Sequence, residues 1–153
     1  MRVIRDGSQG TFDLEEFLSR RIFAHLSTAS EQGPRESPVW FSWEEESLWI
    51  IGDSADTFPK RVEQEPRCAI GIVDFDPATG LVQHAGFRGL ASIERFDRIR
   101  ARRIFSRYLG ENQADWPSMF HEALEDTDLV FVRFDPDTVV VRDQSYPVGT
   151  QIS

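Results

Sequence analysis

The sequence predicts a mainly β domain in which an antiparallel barrel is decorated by helices. Short apolar runs with strand alternation follow one another at hairpin spacing, and turn residues separate them. No regular alternation of strands and helices is present, so a doubly wound sheet is not expected. We count six or seven such strands and three helical segments along the chain.

Length and charge limit the number of domains and the class of protein. The 153 residues are 40% hydrophobic, which is enough apolar material for one domain with a real core. We therefore expect a flexible N-terminal arm at 1–10 and a single domain at 11–153. The formal net charge of −9 argues against general nucleic-acid binding, which needs a basic surface. No apolar stretch approaches the roughly 20 residues of a membrane span and no signal core is seen, so we expect a cytoplasmic protein without a membrane partner.

The first elements after the arm are a short helix and a strand. Asp13 and Glu16 stand in capping-box spacing, which predicts that the helix begins near Asp13. The run from Ile22 to Ser30 alternates between two faces, as a strand does. Gly33 and Pro34 then supply a turn.

Two strands rich in aromatic residues follow this turn. We predict the second strand over 35–43 and the third over 47–52, followed by a polar loop with one helical turn over 53–65. Pro38 lies inside the second strand and cannot donate a ladder hydrogen bond. It therefore indicates a sheet edge or a bulge, and bulges often lie beside functional sites.

The remaining strands lie on either side of a helical segment. A fourth strand is predicted over 67–74, and a long fifth strand runs from about Leu81 to Arg95. Near the C-terminus, DLVFVRF and TVVVRD form a last strand pair. The Asp135-Pro136 dipeptide between them predicts a turn.

Two helices are predicted between the fifth strand and this last pair. Apolar residues repeat at helical spacing from a cap at Asp97 to a stop at Gly110. A second helix with the same spacing starts near Asp115. Both apolar stripes are most simply packing surfaces.

Self-contained catalytic motifs are absent from the sequence. No G-x-S-x-G elbow, P-loop or G-x-G-x-x-G fingerprint is present. His25, His84 and His121 lack paired ligand spacing, so no metal site is expected. The single cysteine, Cys68, lies in an apolar run typical of a buried, unreactive thiol. Any reaction would therefore depend on a bound cofactor.

The segment from Arg35 to Arg67 carries the strongest functional signal. An aromatic strand there can form a wall for a flat ring, and exposed backbone near Pro38 can bond the edge of that ring. The adjacent cations Lys60 and Arg61 can pair with a phosphate. From the residues alone, the aromatic side chains could instead fill the barrel, and the two cations could be solvated at a helix start.

Motifs in this segment and in the strands that follow it resemble one family of known proteins. SPVWF at 37–41, LWIIG at 48–52, EPRCAIGIV at 65–73 and HAGFRGLASIE at 84–94 are similar to FMN-binding split-barrel proteins related to pyridoxamine 5'-phosphate oxidase. The order and spacing of the motifs carry this resemblance. It implies a six-stranded antiparallel Greek-key split β-barrel, usually a homodimer, with FMN in a groove between the subunits.

The resemblance also implies three groups of cofactor contacts and a contribution from the partner subunit. The ring would contact the second strand at Ser37, Pro38, Val39, Trp40 and Phe41. The ribityl chain would run along Ile51, Gly52, Asp53 and Ser54. Lys60 and Arg61 would hold the phosphate, and His84 and Arg88 would reach the cofactor from the partner.

The function implied by the family is that of an FMN-dependent oxidoreductase acting on a small-molecule acceptor. A true pyridoxamine phosphate oxidase is not expected, because Arg142 is the only cation of the C-terminal segment. A non-catalytic flavin carrier or regulator is the alternative of another class. Deazaflavin and haem are the alternative ligands, and His25, His84 and His121 are the candidate axial ligands of a haem.

Overall fold

The computed structural model describes residues 1–5 and 11–149. Its strands are β1 (Arg2–Arg5), β2 (Ala24–Thr28), β3 (Arg35–Val39), β4 (Ser42–Glu44), β5 (Ser47–Asp53), β6 (Arg67–Asp76), β7 (Leu81–Arg95) and β8 (Leu129–Asp143). Its helices are α1 (Leu14–Leu18), α2 (Thr57–Gln64), α3 (Arg98–Leu109) and α4 (Ser118–Ala123), with a 3₁₀ turn at Gln113–Asp115. None of the helices in the described ranges is long and apolar enough to cross a bilayer.

All eight strands belong to one curled sheet. Its order is β3-β2-β6-β7-β8-β5-β4, and β1 adds to β8 in parallel while the other pairs are antiparallel. The mainly β class with helical decoration is confirmed. The counts of six strands and three helices are wrong, because the described residues form eight strands and four α-helices.

The extra strands arise at two places. The predicted second strand divides into β3 and β4 at Trp40 and Phe41. Arg2–Arg5, within the predicted arm, forms β1 against Thr138–Val141 of β8. The rest of that predicted arm, 6–10, lies outside the described residues.

The strand pair predicted near the C-terminus is wrong. The turn expected at Asp135-Pro136 is absent, because β8 runs without interruption from Leu129 to Asp143. Pro136 pairs with Gly89 next to a register shift between Arg88 and Gly89. A proline has no N–H to donate, so it is tolerated where the ladder is already irregular.

The predicted starts of the first helix and of the helix after Asp97 are confirmed. The Asp13 carboxylate accepts the Glu16 N–H at 3.0 Å and begins α1. The Asp97 carboxylate accepts the Ile99 N–H at 2.9 Å and begins α3. The α3 helix ends at Gly110, whose φ of 104° is open to glycine without strain. These contacts connect residues close in the chain, so the sequence is sufficient to predict them.

Two helices differ from their predicted extent. The single helical turn expected within 53–65 is an eight-residue helix, α2, which buries Pro59, Arg61 and Val62. The helix expected near Asp115 begins as a 3₁₀ turn and resumes as α4 only after Pro117. Pro117 directly precedes α4, and α2 contacts β2, β5 and β7 of the sheet.

The core has two parts. The first lies inside the curl of the sheet and is formed by side chains such as Phe17, Leu26, Phe41, Leu48, Ile50, Phe87 and Phe134. The second lies under α3 and α4 and is formed by Trp49, Ala101, Ile104, Phe105, Trp116, Leu124 and Phe131. The apolar stripes of the helical segment are therefore packing surfaces, as predicted.

Candidate functional site

Helix α2 contributes side chains to two neighbouring cavities. The first, which we call the polar cavity, has a volume of about 1200 Å³. It is lined by Ala29, Ser30, Glu31, Gln32, Thr57, Lys60, Arg61, Gln64, Glu65 and Arg67. The second, the apolar cavity, has a volume of about 370 Å³ and is lined by Phe23, Pro38, Val39, Trp40, Ile51, Phe58, Ile104, Phe105 and Phe120. Thr57 and Lys60 of α2 face the first cavity, and Phe58 faces the second.

Arg61 fastens the chain at the edge of the polar cavity. Only 6% of this residue is exposed. Its guanidinium donates to the Thr28 hydroxyl at 2.8 Å, the Ser30 hydroxyl at 2.8 Å, and the carbonyls of Thr28 and Gly33 at 3.2 and 2.7 Å. Because an arginine has five N–H donors, these four bonds leave one for any ligand. The main role of Arg61 in this structure is to hold the turn after β2 against α2.

Lys60 is the cation of the polar cavity that is available to a ligand. It is exposed and, within residues 1–5 and 11–149, its ammonium has no hydrogen bond or ion pair. Arg67 lines the same cavity, but its guanidinium already pairs with Glu65 at 2.7 Å. An anion entering this cavity would therefore meet the ammonium of Lys60, since Arg61, which also has no ion pair among the described residues, uses most of its donors within the chain.

Most of the aromatic side chains predicted to form the wall pack elsewhere in the fold. Phe41 is fully buried in the core, and Trp49 packs under the Arg100 guanidinium at 3.5 Å. Trp40 alone of the predicted aromatic ring contacts lines the apolar cavity, together with Pro38 and Val39. Its indole stacks on the Tyr108 ring at 4.6 Å, which fixes its orientation.

The break between β3 and β4 is held by side chains of α3. The Tyr108 hydroxyl donates to the Ile22 carbonyl at 2.8 Å and accepts the Phe41 N–H at 3.2 Å. Arg107 donates to the Phe41 carbonyl at 3.0 Å. The backbone groups freed by the break therefore find partners on the helix, and Trp40 is turned toward the apolar cavity.

The residues predicted along a ribityl chain form the end of β5 and the start of the turn that leads to α2. A Cβ atom at Gly52 would lie 2.9 Å from Pro59, so its missing side chain lets α2 pack on β5. The Asp53 carboxylate accepts the Ala55 N–H at 2.8 Å. Ser54 is exposed and lines neither cavity, whereas Ile51 lines the apolar one.

His84 and Arg88 lie on the outer face of the sheet. They alternate along β7 with the buried residues Ala85 and Phe87. Arg88 lines a further cavity of about 500 Å³ that shares Arg67 with the polar cavity. Burial, and secondarily the charge of Arg142, lower the pKa of His84, so its imidazole is neutral at pH 7.

Neither of the other histidines lines the two cavities. His25 contacts the Glu36 carboxylate across β2 and β3, and His121 stacks on Trp116 at 5.9 Å. In the part of the chain that the structure describes, no group of three His, Cys, Asp or Glu side chains is placed to hold a metal ion. Burial raises the pKa of the Cys68 thiol to about 11, so it is protonated at neutral pH.

Two glycines make the centre of the outer face flat. Gly71 of β6 and Gly86 of β7 are paired across the strands. A Cβ atom at Gly71 would meet nothing within 4 Å, and one at Gly86 would meet only the His84 ring, at 3.2 Å. Around them Phe23, Val73 and Phe75 are about half exposed, at 50%, 50% and 57%. Another molecular surface can therefore approach the centre of this face closely.

Sequence reasoning missed the contributions that the helices make to the apolar cavity. Ile104, Phe105 and Phe120 come from α3 and α4, and no local signal connects them to β3. Phe23 could have been found, because strand alternation places it opposite the buried Ala24. The sequence therefore located one wall of this cavity but not the other.

The fold is that of the split-barrel proteins. A conserved hypothetical protein from Mycobacterium tuberculosis superposes with a TM-score of 0.76 at 16% identity, covering 96% of this chain and 98% of that one. An F420 reductase superposes with a TM-score of 0.65 at 21% identity, covering 85% and 98%. A candidate pyridoxamine 5'-phosphate oxidase from Listeria innocua gives 0.62 at 16%, covering 87% and 96%.

These likenesses confirm, at the level of fold, the resemblance to the split-barrel group related to pyridoxamine 5'-phosphate oxidase. Other structures with the same fold include a haem storage protein of Vibrio cholerae and a FAD-binding protein of Mesorhizobium loti. No protein-family model matches the sequence, and no curated protein is significantly similar to it.

Proposed function

We propose that this protein binds FMN and acts as an oxidoreductase on a small-molecule acceptor. The observation that carries the proposal is the position of α2, which presents Phe58 to the apolar cavity and Lys60 to the polar one. FMN has the matching chemistry, because a flat, largely apolar ring system is joined to a phosphate. Split-barrel structures named for F420 and FAD support a ligand of this class.

The ring end of the ligand fits the apolar cavity by size and polarity. The volume of the cavity, about 370 Å³, lies in the range of small-molecule sites. Strand β3 is an edge strand, so one side of its backbone near Pro38 has no strand partner within residues 1–5 and 11–149. Those N–H and C=O groups are available to the polar edge of a ring whose face contacts Val39 and Trp40.

The phosphate end fits the polar cavity through Lys60. We assign the direct contact to Lys60 and a supporting role to Arg61, whose bonds position the turn at 28–33. Hydroxyls of Ser30 and Thr57 line the same cavity and can donate to phosphate oxygens. Asp53, the last residue of β5, and Ser54 are not part of this assignment, because neither lines the polar or the apolar cavity.

The chain itself would position the cofactor and exclude water. A bound flavin supplies the hydride or electron transfer, and no side chain lining the apolar cavity is ionisable. That absence among the lining residues also favours a second candidate, a flavin carrier without turnover. A haem is less well supported, because within one chain His25, His84 and His121 line neither cavity, and only the partner subunit's His84 would reach the ligand in the dimer proposed below.

Substitution of Lys60 tests the phosphate assignment. Lys60→Ala should weaken FMN binding by more than about tenfold, since one charge-assisted contact contributes roughly 1.5–3 kcal/mol. Fluorescence titration of the apoprotein with FMN measures the effect. Arg102→Ala, which removes an exposed cation of α3, is the matched control and should bind FMN as the unaltered chain does. Equal affinity in both variants would remove Lys60 from the site.

A chemical labelling experiment gives a second readout at the same residue. Lys60 is the single lysine of the sequence, so amine acetylation reports on this side chain and the N-terminus alone. Bound FMN should slow the acetylation of Lys60 and leave that of the N-terminus unchanged. The absorption spectrum of the purified protein distinguishes flavin from haem, and turnover with a nicotinamide donor distinguishes enzyme from carrier.

The proposal includes a homodimer formed through the outer face of the sheet. Its support is the flat floor at Gly71 and Gly86 within a half-exposed apolar surface, which a second copy can cover closely. His84 and Arg88 lie on this face and would reach the partner's cofactor. Light scattering should give twice the 17.6 kDa mass of one chain, and a monomer at all concentrations would contradict the assignment.

A further inference from the structure

A separate pocket lies between β4, α1 and α3. Its volume is about 340 Å³, and we call it the α3 pocket. It is lined by Glu15, Leu18, Ser19, Ser42, Trp43, Glu44, Arg103 and Arg107. None of these residues lines the polar or the apolar cavity, so the flavin proposal does not explain this pocket.

Arg107 brings a positive charge without a counter-ion to the pocket. Its guanidinium donates to the carbonyls of Phe41 at 3.0 Å and Leu18 at 2.8 Å, and also to that of Arg20. None of the ion pairs among the described residues includes Arg107. Burial lowers its pKa, which reflects the cost of keeping this charge away from water.

The charges of the two neighbouring arginines on α3, unlike that of Arg107, are balanced by a carboxylate. Arg100 and Arg103 both donate to the Glu44 carboxylate, at 2.9 and 2.6 Å. Glu44 is thereby used by two other cations, and the Glu15 carboxylate accepts the Trp43 indole N–H at 3.1 Å. The lining of the pocket therefore leaves the charge of Arg107 for another partner.

Two residues that line this pocket each have a buried donor without an acceptor in the described part of the chain. The Nε of Arg107 and the Oγ of Ser42 each expose less than 1 Å² and have no hydrogen-bond partner among the described residues. Ser42 as a whole is only 7% exposed. Buried polar groups are nearly always paired in folded proteins, so two orphans lining one pocket indicate a missing partner. An acceptor that also carries negative charge would satisfy both donors and the guanidinium.

We propose that the α3 pocket binds a small oxyanion, a carboxylate or a phosphate, through Arg107 Nε–H and the Ser42 hydroxyl. Both donors lie beneath the surface, so the anion enters when exposed lining side chains move aside. Glu15, Ser19 and Arg103 are the exposed members of the lining, and such side chains change rotamer within nanoseconds. Glu15 is also the like charge that opposes binding.

The indole N–H of Trp43 is a local reporter for the test. It lies in the lining and donates to Glu15, and Trp43→Phe identifies its signal in a proton–nitrogen correlation spectrum. We titrate the full chain with sodium acetate and, separately, with sodium phosphate at constant ionic strength. A saturable shift of this signal is expected with at least one of the two anions. The anion that binds more tightly shows whether the pocket prefers a carboxylate or a phosphate.

Three variants make the result specific. Ser42→Ala removes an orphaned hydroxyl, so it should fold normally and bind the anion about tenfold more weakly. Glu15→Gln should bind it more tightly, because a like charge is removed. Lys60→Ala should leave the Trp43 response unchanged, which separates this pocket from phosphate bound in the polar cavity. The absence of a saturable shift with either anion, or equal affinity in Ser42→Ala, would overturn the proposal.

Discussion

Replacing Gly89 with alanine is expected to destabilise the fold by about 3 kcal/mol, because the added Cβ has no room. It would lie 2.2 Å from the Asp135 carbonyl oxygen and 2.7 Å from the Pro136 Cα. Both are backbone atoms of β8, so no rotamer change relieves the clash. The two strands would have to separate where Gly89 pairs with Pro136 at the register shift.

Urea unfolding followed by tryptophan fluorescence measures this effect. A loss of about 3 kcal/mol corresponds to a fall in Tm of roughly 6–12 °C for a domain of this size. Ser92→Ala, at an exposed position of the same strand, is the control and should stay within about 0.5 kcal/mol of the unaltered chain. If Gly89→Ala unfolds at the same urea concentration as this control, β7 and β8 do not approach each other as closely as described.

Replacing Arg61 with alanine is expected to cost a similar amount, about 3 kcal/mol, for a different reason. The substitution removes four hydrogen bonds and leaves the carbonyls of Thr28 and Gly33 without their donor. Because Arg61 is buried, water does not fully replace those bonds. The turn at 28–33 should detach from α2, and the polar cavity should lose its shape.

Lys60→Ala is the matched control, since the two cations are adjacent in sequence and opposite in environment. Lys60 is exposed and unpaired among the described residues, so its removal should leave the free energy of unfolding unchanged. Thermal unfolding without ligand measures both variants. Equal stability of Arg61→Ala and Lys60→Ala would contradict the structural role of Arg61. Loss of FMN affinity in Lys60→Ala without loss of stability would separate binding from folding.

The contrast between Lys60 and Arg61 explains why the sequence could predict only part of the candidate site. The Lys60-Arg61 pair suggested a double phosphate anchor, since charge and adjacency are visible in the sequence. Burial is not visible there, and the partners of Arg61 lie 28 to 33 positions away along the chain. The phosphate role of Arg61 stays a prediction, while the position of Lys60 keeps it available.

The aromatic residues show the same limit. Their strand spacing predicted a wall, and Trp40 does line the apolar cavity. Whether an aromatic side chain faces a cavity or the core depends on the break at Trp40 and Phe41, which Tyr108 and Arg107 of α3 stabilise. Strand alternation alone cannot predict a break that is held by a helix residue, Tyr108, 67 positions after Phe41.

The sequence by itself determined the mainly β class, the start of α1, the bounds of β7 and α3, and the position of Pro38 at either a sheet edge or a bulge. Each depends on side-chain periodicity or on hydrogen bonds between near neighbours, which the order of residues specifies directly. Only the tertiary structure decided that β8 continues through Pro136, that Arg61 is buried, and that Arg107 has no counter-ion in the part of the chain that the structure describes. These features depend on which distant backbone and side-chain atoms meet, and burial changes the free energy of a charge or a hydrogen bond only after they have met.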